Sequence, residues 1–139
     1  MNLMAKKIIR GVTLLFLLLT PFLSVAENDA YEAALTSFEA GDYKGAYTSF
    51  RDLAEVGVVD AQYYLGMLYL YGQGVRKSNS RGAEWLKRAA GNGSYQAAAN
   101  LGQMYLSGEG VAPNETVAIQ WLELADKLAK AQDLEEDCD

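Results

Sequence analysis

Histidine is absent from the 139-residue sequence, and cysteine occurs once. Without histidine, the chain lacks the side chain that most often acts as a general acid or base near neutral pH. A catalytic cysteine–histidine pair is excluded for the same reason, and the carboxylates are scattered rather than gathered into a metal-binding motif. The sequence therefore predicts a protein that is not an enzyme and that holds no cofactor and no metal.

The single cysteine, Cys138, lies one residue from the end of the sequence. A lone cysteine excludes a disulfide within one chain. Two interpretations stay open: an inert thiol on a terminal tail, or a thiol that forms an intermolecular disulfide.

Residues 1–26 have the composition of a secretory signal peptide. Basic residues precede an apolar run at 12–19, and small residues at 24–26 suit a signal peptidase. The run is shorter than the ~20 apolar residues of a membrane-spanning helix. We expect cleavage after Ala26 and a periplasmic location, with membrane attachment only through an uncleaved leader.

Positive charge is scarce beyond this leader. Removing its three basic residues leaves 9 Lys and Arg against 18 Asp and Glu (12 − 3 and 18 − 0), a net charge of −9. Such a surface repels nucleic-acid phosphates and anionic lipid headgroups. The composition therefore predicts no nucleic-acid binding and favours a basic or neutral partner.

An internal repeat dominates the rest of the sequence. Residues 61–90 align with residues 97–126 at a shift of 36, with eleven identical pairs. A period of this length is typical of solenoid arrays. Residues 31–57 form an earlier, looser unit whose hairpin loop is five residues shorter.

The spacing inside each unit predicts a helix, a loop and a second helix. Leu65 and Tyr69 lie four residues apart, on one helix face. Gly66 stands in mid-helix, where glycine costs ~1 kcal/mol relative to alanine, so we expect another helix to approach closely there. Gly72 suits the left-handed conformation of a helix C-cap, and Ser78 can cap the next helix. The second copy repeats this pattern, with Asn114 in place of the serine.

These features predict an all-α fold, a short right-handed superhelical solenoid of about three helix-turn-helix repeats. The helical domain is expected at 27–132, with hairpins at about 28–57, 60–92 and 95–131, followed by an acidic disordered tail at 133–139. The predicted helices cover roughly 28–40, 42–56, 60–71, 79–91, 95–107 and 114–131. Core positions are assigned to Tyr69, Tyr105, Trp85 and Trp121.

The pattern A-x-x-x-L-G-x-x-Y-x-x-G-x-G-V, followed by Trp and Ala ten and fourteen residues later, resembles the Sel-one-like repeat (SLR), a relative of the tetratricopeptide repeat. The resemblance covers residues 60–126, whereas residues 29–57 look more like a plain tetratricopeptide hairpin. It implies scaffolding or adaptor work, often in exported or envelope-associated bacterial proteins. A cysteine-rich branch of the family, whose repeats carry paired cysteines that staple each hairpin, is linked to β-lactam binding and hydrolysis. This sequence has no such pair.

In tetratricopeptide-like arrays the first helix of each pair lines a concave groove. The resemblance and the repeat register predict a partner-binding groove lined by Asp29, Glu32, Thr36, Glu39, Tyr63, Met67, Leu70, Gln96, Ala99, Gln103 and Leu106. This lining is acidic at its N-terminal end, aromatic and apolar in the middle, and rich in amides beyond. It suits a peptide or helix with a basic residue and an apolar anchor. The alternative for Tyr63 and Leu70 is ordinary packing between hairpins.

Three functions remain as hypotheses. The first is an exported adaptor or regulator that binds another exported protein or peptide. The second is a periplasmic immunity protein that neutralises a secreted toxin. The third is a protein that binds or hydrolyses a β-lactam or a cell-wall fragment. Because about three repeats is near the lower limit for a stable array, a homodimer is compatible with each of them.

Overall fold

The computed structural model describes residues 26–136, which form six helices and no strand. The predicted leader, apart from its last residue, and Cys138 lie outside the described residues. The helices are α1 at 26–39, α2 at Tyr43–Glu55, α3 at Val59–Tyr71, α4 at Asn79–Gly91, α5 at Tyr95–Ser107 and α6 at Glu115–Glu136. The predicted all-α repeat fold is confirmed.

The last helix ends later than the sequence predicts. Residues 133–136, assigned above to a disordered tail, continue α6, and residues 137–139 lie outside the described range. The physical reason is that this stretch contains neither glycine nor proline, while glutamate and leucine are good helix formers. Acidic composition alone is therefore a poor sign of where this helix stops.

The helix ends follow the caps predicted from the sequence. Gly72 and Gly108 adopt left-handed conformations at the ends of α3 and α5, with φ angles of 68° and 77°. Ser78 accepts a hydrogen bond from the backbone N–H of Arg81 (3.4 Å) at the start of α4. Asn114 accepts one from the N–H of Val117 (3.0 Å) at the start of α6.

The core consists of two clusters at the junctions between successive hairpins. The first joins α1, α2 and α3 around Phe50 and Leu65, which are fully buried. The second joins α4 and α5 around Leu86 and Leu101, also fully buried. Most other members of both clusters are alanines, whose small side chains allow the helices to approach closely.

The two mid-helix glycines lie where helices cross at short distance, as predicted. A Cβ at Gly66 would lie 2.9 Å from Leu86 Cγ and 3.2 Å from the carbonyl oxygen of Gly82. A Cβ at Gly102 would lie 2.6 Å from Leu122 Cδ2. Close packing of the second helix therefore explains why the second and third hairpins keep a glycine inside their first helix.

The hairpin loops also connect one repeat to the next. Gly110, with a φ of 74°, lies against the start of α4, where a Cβ would come 2.5 Å from the carbonyl oxygen of Asn79. Gly74 lies in the same way against the carbonyl group of Tyr43 at the start of α2. Each loop thus packs on the second helix of the preceding hairpin and fixes how the repeats stack.

The aromatic residues assigned to the core are only partly enclosed. Tyr69 is buried, whereas Trp85, Tyr105 and Trp121 are half-buried. The Arg88 guanidinium lies 4.5 Å from the centroid of the Trp85 ring, so a basic side chain covers part of its outer surface. The prediction is therefore correct for Tyr69 and correct only in part for the other three.

Within residues 26–136, no helix is both long enough and apolar enough to cross a bilayer.

Candidate functional site

The candidate site lies on the inner face, by which we mean the exposed surface of α1, α3 and α5. Two adjoining cavities open on it. The aromatic cavity, of about 410 Å³, is lined by Phe38, Tyr63, Tyr64, Met67, Tyr71 and Gln73. The polar cavity, of about 200 Å³, is lined by Leu70, Tyr71, Lys77, Asn79, Asn100, Gln103, Met104, Ser107 and Glu109.

The wall of the aromatic cavity is built around Tyr64. The Tyr64 ring stacks on Phe50, with centroids 4.9 Å apart and ring planes within 6° of each other. It meets Phe38 and Tyr63 edge to face, at 5.3 and 5.5 Å between centroids. Because Phe50 is fully buried in the core, this aromatic wall is held rigidly.

Tyr63 stands where α3 faces α5. Burial raises the pKa of Tyr63, while the Asn100 side chain beside its hydroxyl group acts in the opposite direction. The phenol therefore stays protonated at neutral pH and can donate or accept a hydrogen bond. Since Asn100 also lines the polar cavity, the two cavities meet through this pair and through Tyr71.

Four of the predicted groove residues line these cavities. Tyr63 and Met67 line the aromatic cavity, and Leu70 and Gln103 line the polar cavity. Tyr63, Met67 and Leu70 also pack against the second core cluster. These side chains therefore pack between hairpins and also line cavities. That a partner binds them stays a prediction.

The remaining predicted residues lie outside both cavities. Asp29, Glu32, Thr36 and Glu39 are exposed on α1. The Thr36 hydroxyl donates to the carbonyl oxygen of Glu32 (2.9 Å) in its own helix. Gln96 accepts a hydrogen bond from the Ser94 hydroxyl (3.3 Å), Ala99 packs on the second cluster, and Leu106 is 49% exposed.

Sequence reasoning missed several lining residues. Phe38, which was not among the predicted groove residues, packs against the first core cluster and also borders the aromatic cavity. Gln73 and Lys77 come from the hairpin loop, which the helix register does not cover. The sequence did contain one sign of an aromatic surface. The helix α3 carries four tyrosines within thirteen residues, and a single buried face of a helix cannot hold all four.

Basic side chains are absent from the described part of the inner helices, α1, α3 and α5. The described part of the inner helices contains five carboxylates, Glu27, Asp29, Glu32, Glu39 and Asp60, and no lysine or arginine. All nine lysines and arginines of the described chain lie on α2, α4 and α6 or in the loop between α3 and α4. The inner face is therefore acidic at the end formed by α1 and by the start of α3.

Among residues 26–136, no group of three or more Cys, Asp or Glu side chains is placed to hold a metal ion.

Helical hairpins stacked in chain order through alanine-rich junctions define a helical repeat solenoid of the tetratricopeptide-like class. Residues 59–94 and 96–125 match the model of the Sel1 repeat. These residues therefore form two Sel1 repeats, as the sequence pattern suggested.

Solved structures of this family superimpose on the chain. A Sel1 repeat protein from Oxalobacter formigenes is 29% identical, with a TM-score of 0.60 over 62% of this chain and 25% of that one. A protective antigen present in uropathogenic Escherichia coli strains, which displays an SLR fold, is 31% identical, with a TM-score of 0.61 over 73% of this chain and 25% of that one. The present chain therefore spans about a quarter of the length of either protein.

A third structure, the cysteine rich protein B of Helicobacter pylori, is similar over 88% of its own length and 74% of this chain. Its sequence identity of 20% and TM-score of 0.60 show a shared fold alone. No curated protein sequence matches the chain significantly. Sel1 repeats are protein–protein interaction modules and typically serve as non-catalytic scaffolds, so the fold points to binding through an exposed surface.

Proposed function

We propose that the chain is an exported, non-catalytic adaptor or regulator that binds another exported protein or peptide on its inner face. The observation that carries this proposal is that the described part of the inner helices holds carboxylates and no lysine or arginine, beside an open aromatic cavity. A periplasmic location follows from the composition of the leader and belongs to the same proposal.

The carboxylates favour a basic segment of the partner. Burial raises the pKa of Tyr31 to about 12, and the nearby carboxylates of Asp60 and Glu32 add to this effect. The same local negative potential attracts a lysine or arginine of a partner and speeds its association.

The aromatic cavity favours an apolar or basic anchor side chain. Its volume of about 410 Å³ exceeds that of a single large side chain, and Tyr71 at its rim is 66% exposed. Tyrosine and methionine provide large, adaptable contact areas, and the tyrosine rings can also accept a guanidinium or ammonium group. An anchor in this cavity places the neighbouring residues of a bound peptide near α1.

The first test is site-specific photo-crosslinking in cells that export the chain. A photoreactive amino acid replaces Tyr71 in one variant and Val56 in another, because both side chains are exposed to a similar degree, 66% and 69%. Tyr71 borders both cavities, whereas Val56 caps α2 away from them. We expect one discrete adduct from position 71 and none from position 56. Equal labelling at both positions would count against the inner face.

The second test measures the affinity for the partner identified in this way. Met67→Ala combined with Tyr71→Ala should weaken binding at least about tenfold, or ~1.4 kcal/mol, because both side chains line the aromatic cavity. Val56→Ala serves as the matched control and should bind normally. Glu32→Gln with Glu39→Gln should reduce the salt dependence of binding. An unchanged affinity in the cavity variant would refute the proposal.

A narrower form of the proposal makes the partner a secreted toxin and the chain its immunity protein. The acidic inner helices favour it, since a basic toxin would complement them. In that case, producing the chain should rescue the growth of cells exposed to the toxin, and the cavity variant should not. An adaptor would bind its partner without any effect on growth under that exposure.

A further inference from the structure

The turn between α4 and α5 contains the one asparagine of the sequence that is followed by glycine, Asn92-Gly93. Asparagine deamidates fastest before glycine, because glycine has no side chain to hinder the attack of its backbone nitrogen on the side-chain carbonyl carbon of the asparagine. Asn92 is exposed, so water can reach it and complete the reaction. The turn between the second and third hairpins therefore carries the groups for a modification that needs no enzyme.

The backbone of this turn does not require an asparagine. The turn between α2 and α3 has Val56-Gly57 at the same positions, at the repeat shift of 36. The C-cap torsion angles φ and ψ are −84° and −1° for Val56, and −96° and 8° for Asn92. The glycines that follow have φ angles of 101° and 104°. Because valine forms the same turn, the amide of Asn92 serves another purpose.

This purpose is a hydrogen bond to Gln62 of α3, which is 5% exposed. The side-chain NH₂ group of Gln62 donates to the carbonyl oxygen of Ala54 (3.2 Å). A backbone carbonyl oxygen can only accept, so the Gln62 side-chain oxygen must face the other way, toward Asn92. Asn92 donates its own NH₂ group to that oxygen (3.0 Å). The contact therefore needs a donor at position 92.

The folded chain keeps the two reacting groups occupied. The side-chain amide of Asn92 is held by Gln62, and the backbone N–H of Gly93 donates to the carbonyl oxygen of Ala90 (3.1 Å). The Gly93 nitrogen can reach the Asn92 side chain only if the peptide unit between them turns, which breaks the hydrogen bond to Ala90. The end of α4 must therefore open locally before deamidation can proceed.

We propose that Asn92 is a site of spontaneous deamidation that the folded chain protects, and that its modification permanently breaks the hydrogen bond between α3 and the end of α4. In the first step the Gly93 nitrogen bonds to the side-chain carbonyl carbon of Asn92. The side-chain NH₂ group leaves as ammonia, together with the proton of the Gly93 nitrogen, and a cyclic imide forms. Water then opens the imide to aspartate or isoaspartate.

Either product lacks the donor that Gln62 requires. A carboxylate at position 92 would face the Gln62 side-chain oxygen, and two acceptors cannot form a hydrogen bond. If the Gln62 amide turned to donate to the carboxylate, its oxygen would face the carbonyl oxygen of Ala54 instead. One buried acceptor stays without a donor in both arrangements, which destabilises the closed junction. A chain that has opened here is thus marked, and it closes less well afterwards.

The site is tested by peptide mass spectrometry of the full chain after incubation at neutral pH and physiological temperature. We expect Asn92 to deamidate at least about tenfold faster in guanidinium chloride than in the folded chain, because the folded chain is rarely open. Asn79 and Asn114 precede serine and glutamate and serve as internal references that should react much more slowly than Asn92 in the denaturant. Equal rates at Asn92 in both states, or no reaction in the denaturant, would overturn the proposal.

The role of the hydrogen bond is tested with Gln62→Ala, which should speed the deamidation of Asn92 in the folded chain. Gly66→Ala is the matched control, because its Cβ would crowd Leu86 and destabilise the fold while the Gln62–Asn92 contact remains. Each rate is compared with the unfolded fraction that urea unfolding gives for the same variant. If the rate in both variants simply followed the unfolded fraction, the hydrogen bond would not protect Asn92.

The consequence of the reaction is tested with Asn92→Asp, which reproduces one of its products. This variant should have a lower thermal midpoint than the natural sequence. Gln120→Glu makes the same change from amide to acid at an exposed position and should shift the midpoint little. An unchanged midpoint for Asn92→Asp would contradict the predicted loss of the junction. No partner takes part in any of these measurements, so their outcome is separate from that of the proposed adaptor function.

Discussion

At the scale of single residues, the distance between the two helices of a hairpin depends on glycines that face each other. Gly66 of α3 and Gly82 of α4 are mutual neighbours, since a Cβ at Gly82 would lie 3.0 Å from the carbonyl oxygen of Gly66 and 2.6 Å from Leu70 Cδ2. The third hairpin has Ala118 at the position of Gly82, and its Leu106 is 49% exposed. Gly82 thus leaves room for Leu70 in the second hairpin, whereas the methyl group of Ala118 takes up the corresponding space in the third.

Gly66→Ala should destabilise the fold despite the higher helix propensity of alanine. The added methyl group would lie 2.9 Å from Cγ of Leu86, which is fully buried, and 3.2 Å from the backbone carbonyl oxygen of Gly82. Overpacking of this kind costs ~1–3 kcal/mol, which outweighs the propensity gain of up to ~1 kcal/mol. Urea unfolding measures the difference.

Gly91→Ala is the matched control for this substitution. Gly91 is also helical, but a Cβ there would meet no atom within 4 Å. This variant should be as stable as the natural sequence or more stable, by up to ~1 kcal/mol. If Gly66→Ala and Gly91→Ala lost stability equally, close helix approach would not explain why both repeats have a glycine in mid-helix.

At the scale of helices, one buried amide ties three elements together. The Gln62 side chain of α3 donates to the carbonyl oxygen of Ala54 in α2 (3.2 Å). Its own oxygen accepts from the side-chain amide of Asn92, the C-cap of α4 (3.0 Å). Gln62 is 5% exposed, and its counterpart in α5 is Ala98. The bridge therefore exists only in the second repeat, where it joins the ends of α2 and α4 through α3.

Gln62→Ala should lower the free energy of unfolding by ~1–3 kcal/mol, because it leaves buried polar groups without their partner. A double-mutant cycle with Asn92→Ala isolates the side-chain pair. We expect the double variant to be less destabilised than the sum of the single variants. Strictly additive losses would show that the 3.0 Å contact contributes nothing beyond local packing. Gln103→Ala, at an exposed position, is the control and should change stability little.

At the scale of the whole molecule, tyrosines join the repeats, and their ionisation at alkaline pH should lower the free energy of unfolding. Burial, with Asp60, Tyr64 and Glu32 nearby, raises the pKa of Tyr31 to about 12 from an ordinary value of 10.0. The hydrogen bond between the hydroxyl groups of Tyr47 and Tyr69 (3.0 Å), which links α2 to α3, raises the pKa of Tyr47 as well. In both cases the folded chain holds the phenol proton more tightly than the unfolded chain does.

The free energy of unfolding should therefore be constant below pH 10 as far as Tyr31 is concerned, and should fall as the pH rises from 10 to about 12. Urea unfolding at about pH 9 and about pH 11 measures this loss. Tyr31→Phe should make the loss smaller, because phenylalanine cannot ionise. Tyr71→Phe, at an exposed position, should leave the loss unchanged. If the natural sequence, Tyr31→Phe and Tyr71→Phe all lost the same stability, Tyr31 would not be the source of the pH dependence.

The sequence by itself determined the helices, their caps and the close crossing at Gly66 and Gly102. These features depend on residues within one repeat, where helical periodicity and local backbone conformation decide the outcome. The sequence also predicted that Tyr63 and Met67 share one surface, and both line the aromatic cavity, because helix register carries over from one turn of α3 to the next.

Only the tertiary structure decided which side chains from different repeats meet. The first hairpin breaks the regular shift, so the sequence could not show that Phe38 borders the same cavity as Tyr64 and Tyr71. The loop residues of the cavities and the Gln62 bridge likewise depend on how one hairpin stacks on another. Contacts between hairpins are set by how the side chains of neighbouring repeats pack, and the periodicity of a single helix does not encode them.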